Sequence, residues 1–209
     1  GASLIYRHFR CHSTLSPCLY KRKGVWNPNY ILLGMVLMVA ISVVIDPLSR
    51  FFAQDMSSYI QMFTTGNMWV TLLVTVIIAP FLEEIFFRGI LLHDISICWG
   101  PRWGIVISSL LFSAFHFNLI QAIPAFLMGL VMGYIYMQTR RGLTNVIILH
   151  IINNLMASVS LYWGFGEVSV WERYLPAGFW HNVVYAVSAL LVMFLVVRIA
   201  TLSVKIKEE

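Results

Sequence analysis

The sequence predicts an all-α fold, a polytopic membrane bundle of about six transmembrane helices. Three observations carry this. Of 209 residues, 59% are apolar and only 11% are charged, against roughly 25% charged in a soluble domain. The mean hydropathy is +0.80. The apolar residues also gather in runs near the ~20 residues a helix needs to cross a ~30 Å hydrocarbon slab. A soluble domain of this size cannot hide so much apolar surface. That excludes a soluble enzyme, a disordered chain and a nucleic-acid module.

The first run spans Tyr30 to Ile45 and stops at Asp46-Pro47. Leu48 to Asn67 mixes aromatic and polar residues and reads as an amphipathic stretch in the interface. The second run, Met68 to Leu92, is interrupted by Glu83, Glu84 and Arg88. The third, Trp103 to Ile120, abuts the fourth, Gln121 to Thr139, which predicts a tight hairpin at Asn118 to Pro124. Gly129 and Gly133 form a G-x-x-x-G, a pattern that lets two helices approach closely. The fifth run is Leu143 to Trp163 and the sixth Phe179 to Ala200. The organisation expected is a basic N-terminal segment (1–29), one transmembrane domain (30–200) and a short tail (201–209).

The net charge of +5 is unevenly spread. No acid precedes Asp46, while that stretch holds Arg7, Arg10, Lys21, Arg22 and Lys23. If the spans alternate, eleven of the 14 Lys and Arg fall on one side, only Arg50 and Arg173 on the other, and Arg88 inside a span. The positive-inside rule then makes both termini cytoplasmic. The partners expected are the bilayer with its anionic lipid, and no nucleic acid. Cys11, Cys18 and Cys98 are an odd number without a C-x-x-C. They predict free thiols, not a disulfide framework or a thiolate zinc site.

Ionisable residues inside a bilayer are costly and are read first as functional. In Pro80-Phe-Leu-Glu83-Glu84-Ile-Phe-Phe-Arg88-Gly89, Glu84 and Arg88 are four apart, share a helix face and can pair. Glu83 lies about 100° round the helix from Glu84. Two acids against one arginine leave a buried carboxylate in need of a partner. The natural partners are His116 and His150. Phe112 and His116 share a face, as do His150 and Asn154. Ordinary interhelical hydrogen bonding is the bland alternative for each pair. Taken together, a carboxylate and a histidine can hold and deprotonate a water. An imidazole beside a carboxamide can donate two hydrogen bonds to an oxyanion. These are the needs of peptide-bond hydrolysis without a Ser or Cys nucleophile. The other option is a divalent metal such as zinc, held by Glu83, His116 and His150 with a fourth position open to water.

E-E-x-x-x-R, F-x-x-x-H and H-x-x-x-N, in this order, resemble the CAAX-protease and bacteriocin-processing family, the Abi group of intramembrane endopeptidases. The resemblance covers about Val70 to Tyr162, and all three motifs are intact. It implies a peptide hydrolase in which Glu83 activates water, His116 helps to hold it, and His150 with Asn154 forms the oxyanion hole. Glu84, Arg88 and Phe112 would support these groups. The implied substrate is a peptide or a membrane-tethered protein, and the small size of the chain favours a bacterial plasma membrane and peptide processing. A reading of another class is a non-catalytic binding protein, such as a bacteriocin immunity protein or scaffold. There is no H-E-x-x-H, no Gly-x-Ser-Gly and no intramembrane aspartate pair for other intramembrane proteases. Glu83 and His150 fall toward the cytoplasmic ends of their runs and His116 far along its own. A shared site therefore needs the third helix to start before the bilayer or to tilt. The site is expected toward the cytoplasmic side.

Overall fold

The computed structural model describes residues 24–49, 66–116, 119–162 and 177–202, and every regular element among them is a helix. The first helix, α1 (Pro28–Ser49), opens with a proline, whose missing N–H costs nothing in a first turn, and Asn27 Oδ1 accepts from the Asn29 amide at 3.0 Å. The second, α2 (Met68–Trp99), is capped by Asn67, whose side chain accepts from Trp69 and Val70. It runs for 32 residues but not in one register. Its turns widen to π-helix over Leu73–Ile78 and Ile85–Leu92, on either side of the α-helical Ala79–Glu84. Gly100 stands at φ 89°, a conformation that suits a residue without Cβ, and Pro101 opens α3 (Pro101–Ala114). Then come α4 (Leu119–Gln138), α5 (Leu143–Tyr162) and α6 (Phe179–Ala200).

Four of these helices, α1, α2, α5 and α6, are long and apolar enough to cross a membrane. Their outer faces are those of a chain dissolved in lipid: Leu73, Ile77, Phe81 and Leu82 of α2 and Leu190, Met193, Phe194 and Val197 of α6 are all exposed. The polytopic all-α bundle is therefore as expected, with two corrections to its spans. The second does not stop at Leu92 but continues to Trp99, because nothing from His93 onward breaks the helix before Gly100. Glu83 consequently sits near its middle. The third ends at Ala114 in a turn at Phe115 and His116. Its 14 residues rise only about 21 Å, less than the ~30 Å slab. The stretch from Leu48 to Asn67 that was read as interfacial lies almost wholly outside the described residues.

The α3–α4 hairpin has the predicted close packing. A Cβ added at Gly129 would stand 2.9 Å from Ser109 Cβ, and one at Gly133 would stand 3.1 Å from Ile105 Cγ2. Ser113 Oγ closes the hairpin by donating to the Ala122 carbonyl at 2.6 Å. Gly129→Val is expected to drive the two helices apart and to abolish recovery of a monodisperse protein in detergent. Size-exclusion chromatography reads this, and a normal profile would show that the glycine is dispensable.

The helix ends sort into two sets. At one end Val25 N donates to the Thr139 carbonyl at 3.0 Å, and Asn145 Oδ1 accepts from Asn27 N at 2.9 Å. Arg102 Nε donates to the Leu202 carbonyl at 2.6 Å, and Arg141 Nη1 lies 3.3 Å from His93 Nε2. The start of α1, the α2–α3 turn, the α4–α5 turn and the end of α6 thus meet there, and bring Arg102, Arg140, Arg141 and Arg198 with them. This is the basic end. At the other end Tyr185 of α6 donates to Asp46 of α1 at 3.4 Å. Cys98, near the basic end, is disulfide-bonded, which corrects the expectation of free thiols. The chain's other two cysteines, Cys11 and Cys18, lie outside the described residues.

Candidate active site

Three helices converge on a buried charge cluster. Glu84 and Arg88, one turn apart on α2, are both fully buried, and Arg88 Nη1 donates to Glu84 Oε1 at 2.7 Å. The same oxygen lies 2.8 Å from His150 Nδ1 of α5. Glu84 therefore holds an arginine and a histidine at once. The opposite edge of the His150 ring faces Glu83, with Nε2 3.7 Å from Glu83 Oε2. Glu83 is about one-third exposed, at 34%. The two neighbouring acids thus have separate surroundings, because a step of one residue turns the helix by about 100°.

Phe112 of α3 fits between these groups. The Arg88 guanidinium carbon lies 4.5 Å from its ring centroid, a cation–π distance. His116 and His150 approach the same ring edge-on, at 4.9 and 5.7 Å between centroids. Phe112 is itself fully buried. It keeps water from the guanidinium and seats both imidazoles. His116 Nδ1 lies 2.9 Å from the Phe112 carbonyl oxygen. That carbonyl can only accept, so Nδ1 carries a hydrogen, and in the neutral ring Nε2 is an acceptor.

Glu83, His116, His150 and Asn154 all line one cavity of about 430 Å³. The four predicted groups are therefore brought together, although among the described residues His116 has no hydrogen bond or ion pair with the other three. Asn154 does not bond His150. Its Nδ2 donates instead to the Thr75 carbonyl of α2 at 2.9 Å, and Asn153 Nδ2 stands 3.3 Å from Asn154 Oδ1. Among the described residues no three His, Cys, Asp or Glu side chains are grouped to hold a metal ion. His150 Nδ1 is engaged by Glu84 and His116 Nδ1 by the Phe112 carbonyl, which leaves Nε2 as the nitrogen either ring could offer a metal.

Sequence reasoning missed one wall altogether. Met38, Ile41, Ser42 and Ile45 of α1 line the same cavity as Glu83. They read as any lipid-facing run would, and no sequence signal separates them from it. Gln121 and Ser158 also line the cavity.

The lining residues reveal the cavity's depth. Glu83 and His150 lie near mid-bundle, while Ile45, Thr75, His116, Gln121 and Ser158 reach toward the end opposite the basic one. Basic ends in the cytoplasm and a site toward the cytoplasm therefore do not hold together. The longer α2 and shorter α3 account for this depth: they move Glu83 to the middle of the bundle and His116 to the far turn.

Residues 65–156 match the family described as type II CAAX prenyl endopeptidase Rce1-like. No curated protein and no solved structure matches the chain. The matched segment contains Glu83, Glu84, Arg88, Phe112, His116, His150 and Asn154, whereas α1 and α6 fall outside it.

Proposed function

We propose, for a chain whose residues 65–156 match the Rce1-like family of type II CAAX prenyl endopeptidases, that it is an intramembrane protease that hydrolyses a peptide bond with Glu83 as general base. One observation carries the reading. Of two adjacent carboxylates, Glu84 is locked by Arg88 and His150 at hydrogen-bond distance, while Glu83 lines the cavity with only the longer 3.7 Å approach to His150 Nε2. A water between Glu83 and His116 Nε2 gives a proton to Glu83, and its oxygen bonds to the scissile carbonyl carbon. The second N–H of Asn154 and Nε2–H of His150 take the negative oxygen. His150 donates from Nε2 in the form with a hydrogen on both ring nitrogens, because its Nδ1–H is held by Glu84 Oε1. The C–N bond then breaks as Glu83 passes its proton to the leaving amine.

The substrate is a peptide or a membrane-tethered protein tail. Purified protein in detergent would be given a prenylated C-terminal peptide and, separately, a leader-peptide set, each with and without a chelator. Cleavage by wild type and none by Glu83→Gln supports the reading. Loss of wild-type cleavage with chelator would put a metal into the mechanism. Intact folding with no cleavage of any probe would favour the non-catalytic binding reading. Asn154→Ala is expected to lower kcat by about 10²–10³, the typical cost of losing one oxyanion donor. Wild-type turnover in this variant would remove Asn154 from the mechanism.

The orientation follows from charge. Eleven of the 14 Lys and Arg belong to the basic end or to the sequence joined to it, which makes that end cytoplasmic. The disulfide at Cys98 pulls the other way, since disulfides persist in oxidising compartments. Charge decides, because each Lys or Arg is costly to carry across the hydrocarbon, about 2.5–3.5 kcal/mol at a helix centre. The cavity then takes its substrate from the non-cytoplasmic side. With native cysteines replaced, Gln121→Cys should react with an impermeant maleimide in intact cells and Arg140→Cys only in inverted vesicles. The reverse pattern would turn the protein over.

A further inference from the structure

The Thr75 carbonyl is the anchor of Asn154, and it is accessible to Asn154 only because of two features of α2. In an α-helix this carbonyl would accept from the amide four residues on, that of Ala79. Here the turn is π-helical, and Ala79 N–H goes to the Val74 carbonyl. In the π register Thr75 would accept from residue 80. Residue 80 is Pro80, which is buried in α2 and has no N–H to give. Both backbone donors are thereby removed, and a partly buried carbonyl without a donor is costly. Asn154 of α5 supplies the missing hydrogen bond at 2.9 Å.

We infer that Pro80 is a positioning residue: by withholding an N–H from the Thr75 carbonyl, it gives that carbonyl to Asn154 and so fixes the carboxamide in the cavity. The inference rests on the proposed role of Asn154 only for its catalytic consequence. The hydrogen-bond exchange itself is independent of activity. Asn154 has one N–H on Thr75, and the rigid amide plane then sets the direction of the second. A backbone donor restored at position 80 gives Thr75 a local partner in the π register, and in the α register that partner is Ala79 N–H. Asn154 is then released to rotate.

The test is a double-mutant cycle in the full chain, with Pro80→Ala, Asn154→Ala and both. Alanine is the better helix former, so Pro80→Ala is expected to fold. Thermal unfolding in detergent is the first readout. In the native background Asn154→Ala should lower Tm by about 2–4 °C, because it strands the Thr75 carbonyl. In the Pro80→Ala background the same change should move Tm by less than about 1 °C. Equal shifts in the two backgrounds would overturn the inference, whatever the activity. The second readout is kinetic. Pro80→Ala should lower kcat toward that of Asn154→Ala at unchanged KM, and the double variant should fall no further. A coupled Tm with full turnover in every variant would leave the positioning in place and overturn the catalytic role of Asn154.

Discussion

Glu83→Gln is expected to abolish cleavage and leave the protein folded. The substitution keeps the shape of the side chain and removes its capacity to take a proton, so kcat should fall by about 10²–10⁴, the usual worth of a general base. Tm should stay close to wild type. Glu83 is one-third exposed, and the imidazole it faces, His150 Nε2, stands at 3.7 Å, beyond hydrogen-bond length. The measurement is initial-rate cleavage of a peptide that wild type cuts, beside a melting curve of the same preparation. Full-rate cleavage would end the proposed mechanism. Loss of cleavage together with loss of folding would make Glu83 a structural residue.

Glu84→Ala should do the opposite, with stability lost first. Glu84 and Arg88 are both fully buried. Removing one partner leaves an uncompensated charge in a dry setting, which costs about 3–5 kcal/mol. It also removes the hydrogen-bond partner of His150 Nδ1. The double variant Glu84→Leu, Arg88→Met separates the two effects. It removes both charges, so its Tm should recover above that of Glu84→Ala. Its kcat should remain low, because the His150 ring has lost the carboxylate that orients it. A double variant with restored Tm and restored kcat would reduce Glu84 to a counter-charge. A Glu84→Ala variant that melts like wild type would show that the buried cluster contributes nothing to stability.

The two expectations depend on one contrast that the sequence makes legible only in part. Helical spacing pairs Glu84 with Arg88, and counting charges leaves one acid over. Spacing on one helix cannot say which histidine meets which acid, since that depends on how α2 and α5 pack. The structure has His150 between the two carboxylates, so the spare acid and the paired acid share a single ring.

Composition and hydropathy by themselves determined the membrane bundle, because an apolar surface this large has no other stable solvent. The motifs were also legible, since ionisable residues stand out in apolar runs and the four-residue spacing fixes a common helix face. Gly129 and Gly133 announced a close hairpin for the same local reason. Three things were decided only by tertiary structure. Register along α2 was one: π-turns follow from packing and from Pro80 together, and they hand the Thr75 carbonyl to Asn154 instead of leaving Asn154 beside His150. The wall from α1 was another, because Met38, Ile41 and Ile45 have the same chemistry whether they face lipid or a cavity. The last was depth. A helix end is set by the first residue that breaks it, Gly100 in one case and the turn after Ala114 in the other. Shifting those ends by a few residues moved the whole site from the basic end of the bundle to the far half.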